Sequence, residues 1–239
     1  ARVERKIFMT TAWIFLFGVL LTSAASAVSV PLVAAYGPAD LAWLRFLSTL
    51  VILPLIGWFQ PQVYVRPSRQ QMLGLGLLGL TSLLGLFLTL FALQGLPLAT
   101  TTGIFFCYPF LALALAAVFL KEEVGLLVWT LAFLGLTGVF LLFDPQAAGL
   151  NLFSLAALGS GAAVAVRMLL TRALGLGLPP LTTAAGEALV AAVLLFPFLS
   201  LGPLLSAQLL GQLALYLLFA NGSRLMIVVA LSRADLTAL

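Results

Sequence analysis

PADLAWLRFLSTLVILPLIGWF, residues 38–59, decides the fold class. Gly37-Pro38-Ala39-Asp40 is a helix-start signal, because proline suits a first turn and an acidic side chain suits the positive end of a helix. The segment then runs apolar to Phe59, with Arg45 two turns inside it. A stretch of about 20 apolar residues is the length that crosses a bilayer core. An arginine within such a stretch is costly in lipid, so it faces protein or water.

The rest of the chain is of the same kind. Of 239 residues 63% are hydrophobic and only 8% are charged, whereas a soluble domain carries about 25% charged residues. Apolar runs near 7–33, 39–59, 72–93, 98–120, 125–143, 152–174, 180–201 and 209–231 read as membrane spans, and a ninth run is expected to begin at Asp235. The basic n-region ARVERK and the Ala25-Ser26-Ala27 pattern also fit a cleaved signal peptide. A first helix is the better reading, because apolar sequence resumes at Val28. With no histidine and one cysteine, Cys107, the chain offers no histidine metal site, no Ser-His nucleophile pair and no internal disulfide.

The basic residues set the orientation. Arg2, Arg5, Lys6, Arg66, Arg69, Lys121, Arg172 and Arg233 all fall on one side of the proposed spans, and the opposite loops hold no Lys or Arg. This positive-inside pattern places the N-terminus in the cytoplasm. It also explains the net charge of +4 without a nucleic-acid partner. Arg45, Arg167 and Arg224 remain, and they lie within spans.

The second half restarts the first. Pro38 is followed seven residues later by Arg45, and Pro180 seven residues later by Glu187; FALQGLPLA (91–99) is similar to VALSRADLT (229–237). Residues 1–148 thus form a first five-helix unit and 149–239 a second. Five is odd, so the second unit is inverted, which is a transporter signature. The expected fold is an all-α polytopic membrane protein, an inverted repeat of five-helix units. Ten transmembrane helices are expected, about eight of them present with the start of a ninth, so that about 50 further residues would complete the pattern.

WLRFL (43–47) resembles the arginine-containing segment of EamA-type carriers of the drug/metabolite transporter superfamily. ATTTGIFFCYPFLALALAAVFLKEEV (99–124) looks like that family's fourth helix, with a mid-helix proline, Pro109, and an acidic end, Glu122. Gly135 and Gly138 sit where such carriers often have glycine. The resemblance implies ten helices in a five-plus-five inverted repeat, alternating access, and export of small metabolites or drugs across an inner membrane.

Few side chains carry chemistry. Glu187 is the acidic residue well inside a span, about 10 Å deep at 1.5 Å per residue. Arg224 is at matching depth, so the two are expected to pair, as a structural clamp or as a substrate or proton site. Glu187 is the candidate for proton coupling. Arg167 is expected to reach the interface by snorkelling, with Glu187 as its other option. Arg45 is read as a structural charge. Tyr108, Thr101, Asn221, Ser223, Arg224 and Glu187 are the candidate substrate-binding residues. For Thr100–Thr102, helix capping or backbone bonding is the competing reading; for Asn221 and Ser223 it is interhelical hydrogen bonding. The small residues Ser23–Ala27, Gly159–Ala163, Gly74, Gly76, Gly79 and Gly85 read as sites of close helix approach. Tyr36, Trp58 and Tyr64 read as interface aromatics.

These features favour a secondary carrier for small organic solutes over a non-transporting scaffold. They disfavour an intramembrane enzyme, since Ser160 has no histidine to activate it. No cofactor and no metal is expected. The partners are a small-molecule substrate and the lipid bilayer, with a homodimer left open.

Overall fold

The computed structural model describes residues 2–59, 65–121, 124–142, 151–200 and 207–237, with side chains within 13–53, 65–121, 124–138, 151–200 and 208–226. Every regular element among them is helical: α1 Arg2–Tyr36, α2 Pro38–Phe59, α3 Arg69–Ala92, α4 Leu98–Phe105, α5 Tyr108–Phe119, α6 Leu126–Leu142, α7 Leu152–Leu174, α8 Pro180–Leu195 and α9 Ala207–Thr237, with a 3₁₀ turn at Phe196–Phe198. Among the described residues five segments are long and apolar enough to cross a membrane: Leu16–Tyr36, Arg69–Ala92, Leu98–Phe119, Leu152–Leu174 and Pro180–Phe198. Their outer faces carry exposed Leu, Phe and Val, among them Leu20, Leu73, Val118 and Val193. Lipid tolerates such faces, whereas water drives them together.

The helix boundaries follow local chemistry. Gly37 takes φ +80°, a left-handed conformation that glycine adopts without penalty, and turns α1 into α2. Ser68 and Gln71 close a reciprocal capping box at the start of α3. Asn151 accepts from the Ser154 N–H at the start of α7, and Gly175 ends that helix at φ +46°.

The span expected at 98–120 is broken in two, α4 and α5. Pro109 has no N–H to give the Phe105 carbonyl four residues back. The freed carbonyl oxygen points at α7, where a Cβ on Gly161 would lie 2.9 Å from it.

Two other readings need correction. The ninth run does not begin at Asp235: α9 continues as helix through Arg233 and Asp235 to Thr237. The similarity of 229–237 to 91–99 is therefore not structural, since the latter is a turn after Ala92. Tyr36 is not an interface aromatic but is buried in the main core. Trp58, Tyr64 and Glu122 lie outside the described side chains.

Three antiparallel pairs build the centre. α3 lies along α7, with Gly74 against Leu174, Gly85 against Val164 and Thr89 bonded to Ser160. α1 lies along α9, where Thr22 meets Ser223 and the core continues through Leu32, Tyr36, Leu213 and Tyr216. α2 lies along α8: Asp40 accepts from Ser200 at one end, and Leu53 packs with Leu181 and Ala184 at the other. Small residues permit these approaches; a Cβ on Gly79 would stand 2.7 Å from the Val190 Cβ. α6 stands outside, touching α5 through Phe110 with Trp129 and Phe133.

Candidate functional site

The centre of the bundle holds a buried carboxylate, Glu187. Pro180 starts α8, and seven residues on Glu187 projects into the protein with 1% of its side chain exposed. α7 brings Arg167 to it: Nη2 donates to Oε1 at 2.8 Å and to Oε2 at 3.0 Å. α9 brings Arg224, whose Nη2 donates to Oε2 at 3.1 Å. α3 brings Ser82, which donates to Oε2 at 2.9 Å and accepts from Arg167 Nε at 2.8 Å. Four helices thus meet on one carboxylate.

The expected pairing of Glu187 with Arg224 is present. Arg167 departs from its expected course. Its side chain remains 35% exposed, but its head does not leave for the interface; it forks onto Glu187. The antiparallel run of α7 along α3 sets Arg167 level with Ser82, and a carboxylate that accepts two charge-assisted bonds outcompetes the interface.

A second polar cluster links α2 to α9. Thr49 Oγ1 donates to Asn221 Oδ1 at 2.9 Å, and Asn221 Nδ2 donates to Ser48 Oγ at 2.9 Å and to the Leu217 carbonyl at 2.8 Å. Ser48 and Thr49 both return a bond to the Arg45 carbonyl. Ser223, two residues after Asn221 and so on another face of α9, is bonded to Thr22 on α1. Thr49, Asn221 and Arg224 line a narrow crevice completed by Ile52, Leu53 and Leu181, too tight in this conformation for a water-sized sphere.

Arg45 lies on the same face of α2 as Thr49, one turn away. Its guanidinium carbon is 5.9 Å from the centroid of the Tyr216 ring, a cation–π contact. No carboxylate pairs with it among the described residues. Asp40 is committed to Ser200, accepting from its N–H at 3.0 Å and its hydroxyl at 2.9 Å. The hydroxyls of Tyr216 and Tyr36 are buried without a partner among the described residues.

Thr101 and Tyr108 are not bonded to these clusters. Thr101 is buried with its hydroxyl unpartnered, and α4 has no side-chain cap, so the capping reading of Thr100–Thr102 does not hold. Tyr108 packs on Phe105 with ring centroids 5.1 Å apart. Ser160 is fully buried and donates to the Gly85 carbonyl at 2.8 Å, an interhelical bond. Sequence reasoning missed Ser48, Thr49 and Ser82. The first two sit three and four residues after Arg45, which is the helical spacing that marks one face.

The profile of the EamA-like transporter family matches residues 9–144. No curated protein matches the chain at a significant level. One solved structure, described only as the crystal structure of a protein, superposes with a TM-score of 0.61 at 20% identity, covering 96% of this chain and 86% of its own; it shows the fold. The long apolar helices, their lipid-tolerant faces and the family match agree: this chain belongs to the EamA-like transporter family, multi-pass membrane proteins of the drug/metabolite transporter superfamily that move small solutes.

Proposed function

We propose that the chain is a secondary carrier that exports small organic solutes by alternating access between two inverted units, 1–148 and 149–239. The observation that carries this is the pairing of helices. The offset that takes Pro38 onto Pro180 takes α1, α2 and α3 onto α7, α8 and α9. Under that exchange the α1–α9 pair becomes the α7–α3 pair, and the α2–α8 pair maps onto itself. The same offset takes Arg45 onto Glu187 and Ser82 onto Arg224, so the polar clusters lie on the seam that such a carrier would open.

Asn221, Ser223, Arg224 and Glu187 are the substrate-facing residues in this reading, with Thr101 and Tyr108 on the neighbouring helices α4 and α5. Proton coupling, if used, runs through Glu187. Protonating it would leave Arg167 and Arg224 without a countercharge. Arg45 and Arg167 serve the fold as well as the seam. Membership of the family supports an inner membrane location, and the placement of basic residues supports a cytoplasmic N-terminus.

The tightness of the crevice favours a second reading, a non-transporting scaffold. Purified protein in sealed vesicles separates the two. A carrier exchanges internal for external labelled solute across a panel of amino acids, organic acids and drugs. Folded protein that exchanges none of them supports the scaffold.

A further inference from the structure

The charges within the spans do not balance. Arg45, Arg167 and Arg224 stand against the single carboxylate of Glu187, and Asp40, the other acid with a described side chain, is bonded to Ser200. A guanidinium cannot shed its charge by deprotonation, so an excess of cation in a low-dielectric interior calls for an anion. The excess gathers along the α2–α9 seam. Thr49 is bonded to Asn221, with Arg45 one turn before it on α2 and Arg224 one turn after Asn221 on α9. Arg224 commits only Nη2 to Glu187, and its remaining donors make no hydrogen bond among the described residues. Arg45 donates no hydrogen bond among the described residues, and beside it the Tyr216 hydroxyl is buried with the residue 2% exposed and has no partner. On the side of the Thr49–Asn221 bond away from Arg45, Arg224 lines a crevice walled by Ile52, Leu53, Leu181 and Leu225.

We propose that this seam is a binding site for a monocarboxylate with an apolar body. The carboxylate docks on the donors that Arg224 does not give to Glu187, with Arg45 across the Thr49–Asn221 bond as the second cation, and its body lies against the aliphatic wall. A guanidinium fork matches a carboxylate in shape and charge. No acidic side chain at the seam is left for an α-ammonium group, because Glu187 is saturated by two arginines and Ser82. The site therefore prefers simple carboxylates to amino acids. The proposal names a substrate class for the carrier reading and rests on it for the opening that admits the ligand to a crevice closed in this conformation.

The test compares 4-methylpentanoate, its neutral isostere 4-methylpentanamide, leucine and sodium chloride on the full chain in detergent, by calorimetry. The expected result is binding of 4-methylpentanoate about tenfold or more tighter than the amide or leucine, with a similar loss in Arg224→Gln and in Arg45→Gln. The wild-type comparison stands even where a variant fails to fold. Equal binding of carboxylate and amide, tighter binding of leucine, displacement by chloride at equal concentration, or no binding of 4-methylpentanoate overturns the proposal. Vesicle exchange then separates the two readings. A carboxylate that binds while no solute of the panel crosses leaves the site and removes the carrier; another solute that crosses while the carboxylate does not bind leaves the carrier and removes the site.

Discussion

At the residue scale, Glu187 is the hinge of the energetics. Its carboxylate satisfies two guanidiniums and one hydroxyl while almost wholly buried. Removing one partner of a buried ion cluster costs about 3–5 kcal/mol, because the charges left behind have no water to replace it. Glu187→Ala is expected to fall in this range in denaturant unfolding in detergent. Arg167→Ala is expected to cost less, because Arg224 and Ser82 still hold the carboxylate and the arginine was 35% exposed. Equal losses would contradict the geometry. Depth arithmetic made the Glu187–Arg224 pair legible in the sequence, since both residues lie the same few turns from one surface. It misplaced Arg167 because depth along a helix says nothing about lateral neighbours. Ser82, on a helix distant in sequence, makes the difference.

At the element scale, the break between α4 and α5 and the glycine facing it act as one device. Pro109 frees the Phe105 carbonyl, and Gly161 leaves room for it against α7. Gly161→Ala forces the α4–α5 junction away from α7 and is expected to cost about 1–3 kcal/mol, the usual penalty for overpacking. Gly135→Ala in α6 meets open space and is expected to be neutral or stabilising by up to about 1 kcal/mol through helix propensity. Thermal unfolding of the two variants side by side checks this. Five of the eight expected spans are found among the described residues, and they were legible because hydropathy and length fix them. Pro109 was legible as an irregularity, but the loss of helical continuity on both sides of Cys107 was not. The end of α9 was misread because Ser232-Arg233-Ala234-Asp235 looks like a loop, yet a polar stretch that continues a helix beyond the apolar zone breaks no backbone hydrogen bond.

At the scale of the whole molecule, the antiparallel pairs α1–α9 and α3–α7 place Thr22 beside Ser223 and Thr89 beside Ser160. In a Cys107→Ser background, Thr22→Cys with Ser223→Cys is expected to form a disulfide under mild oxidation, and bridging α1 to α9 is expected to stop solute exchange. Reduction is expected to restore it. Exchange that persists in the bridged protein would show that α1 and α9 do not move apart. The polytopic helical class was readable from composition alone. The pairing of helices across the halves was not, because apolar sequence carries little lateral information where every face is compatible with lipid.

Under the proposed function the α2–α9 seam opens to both sides of the membrane in turn. Thr49→Cys, in the Cys107→Ser background, places one thiol at the middle of that seam. Labelling with a membrane-impermeant thiol reagent, applied to oriented vesicles from one face and then from the other, tests the claim most directly. Modification from both faces, slowed on each by saturating transported solute, is the predicted result. Modification from one face only, or from neither in folded protein, would contradict it.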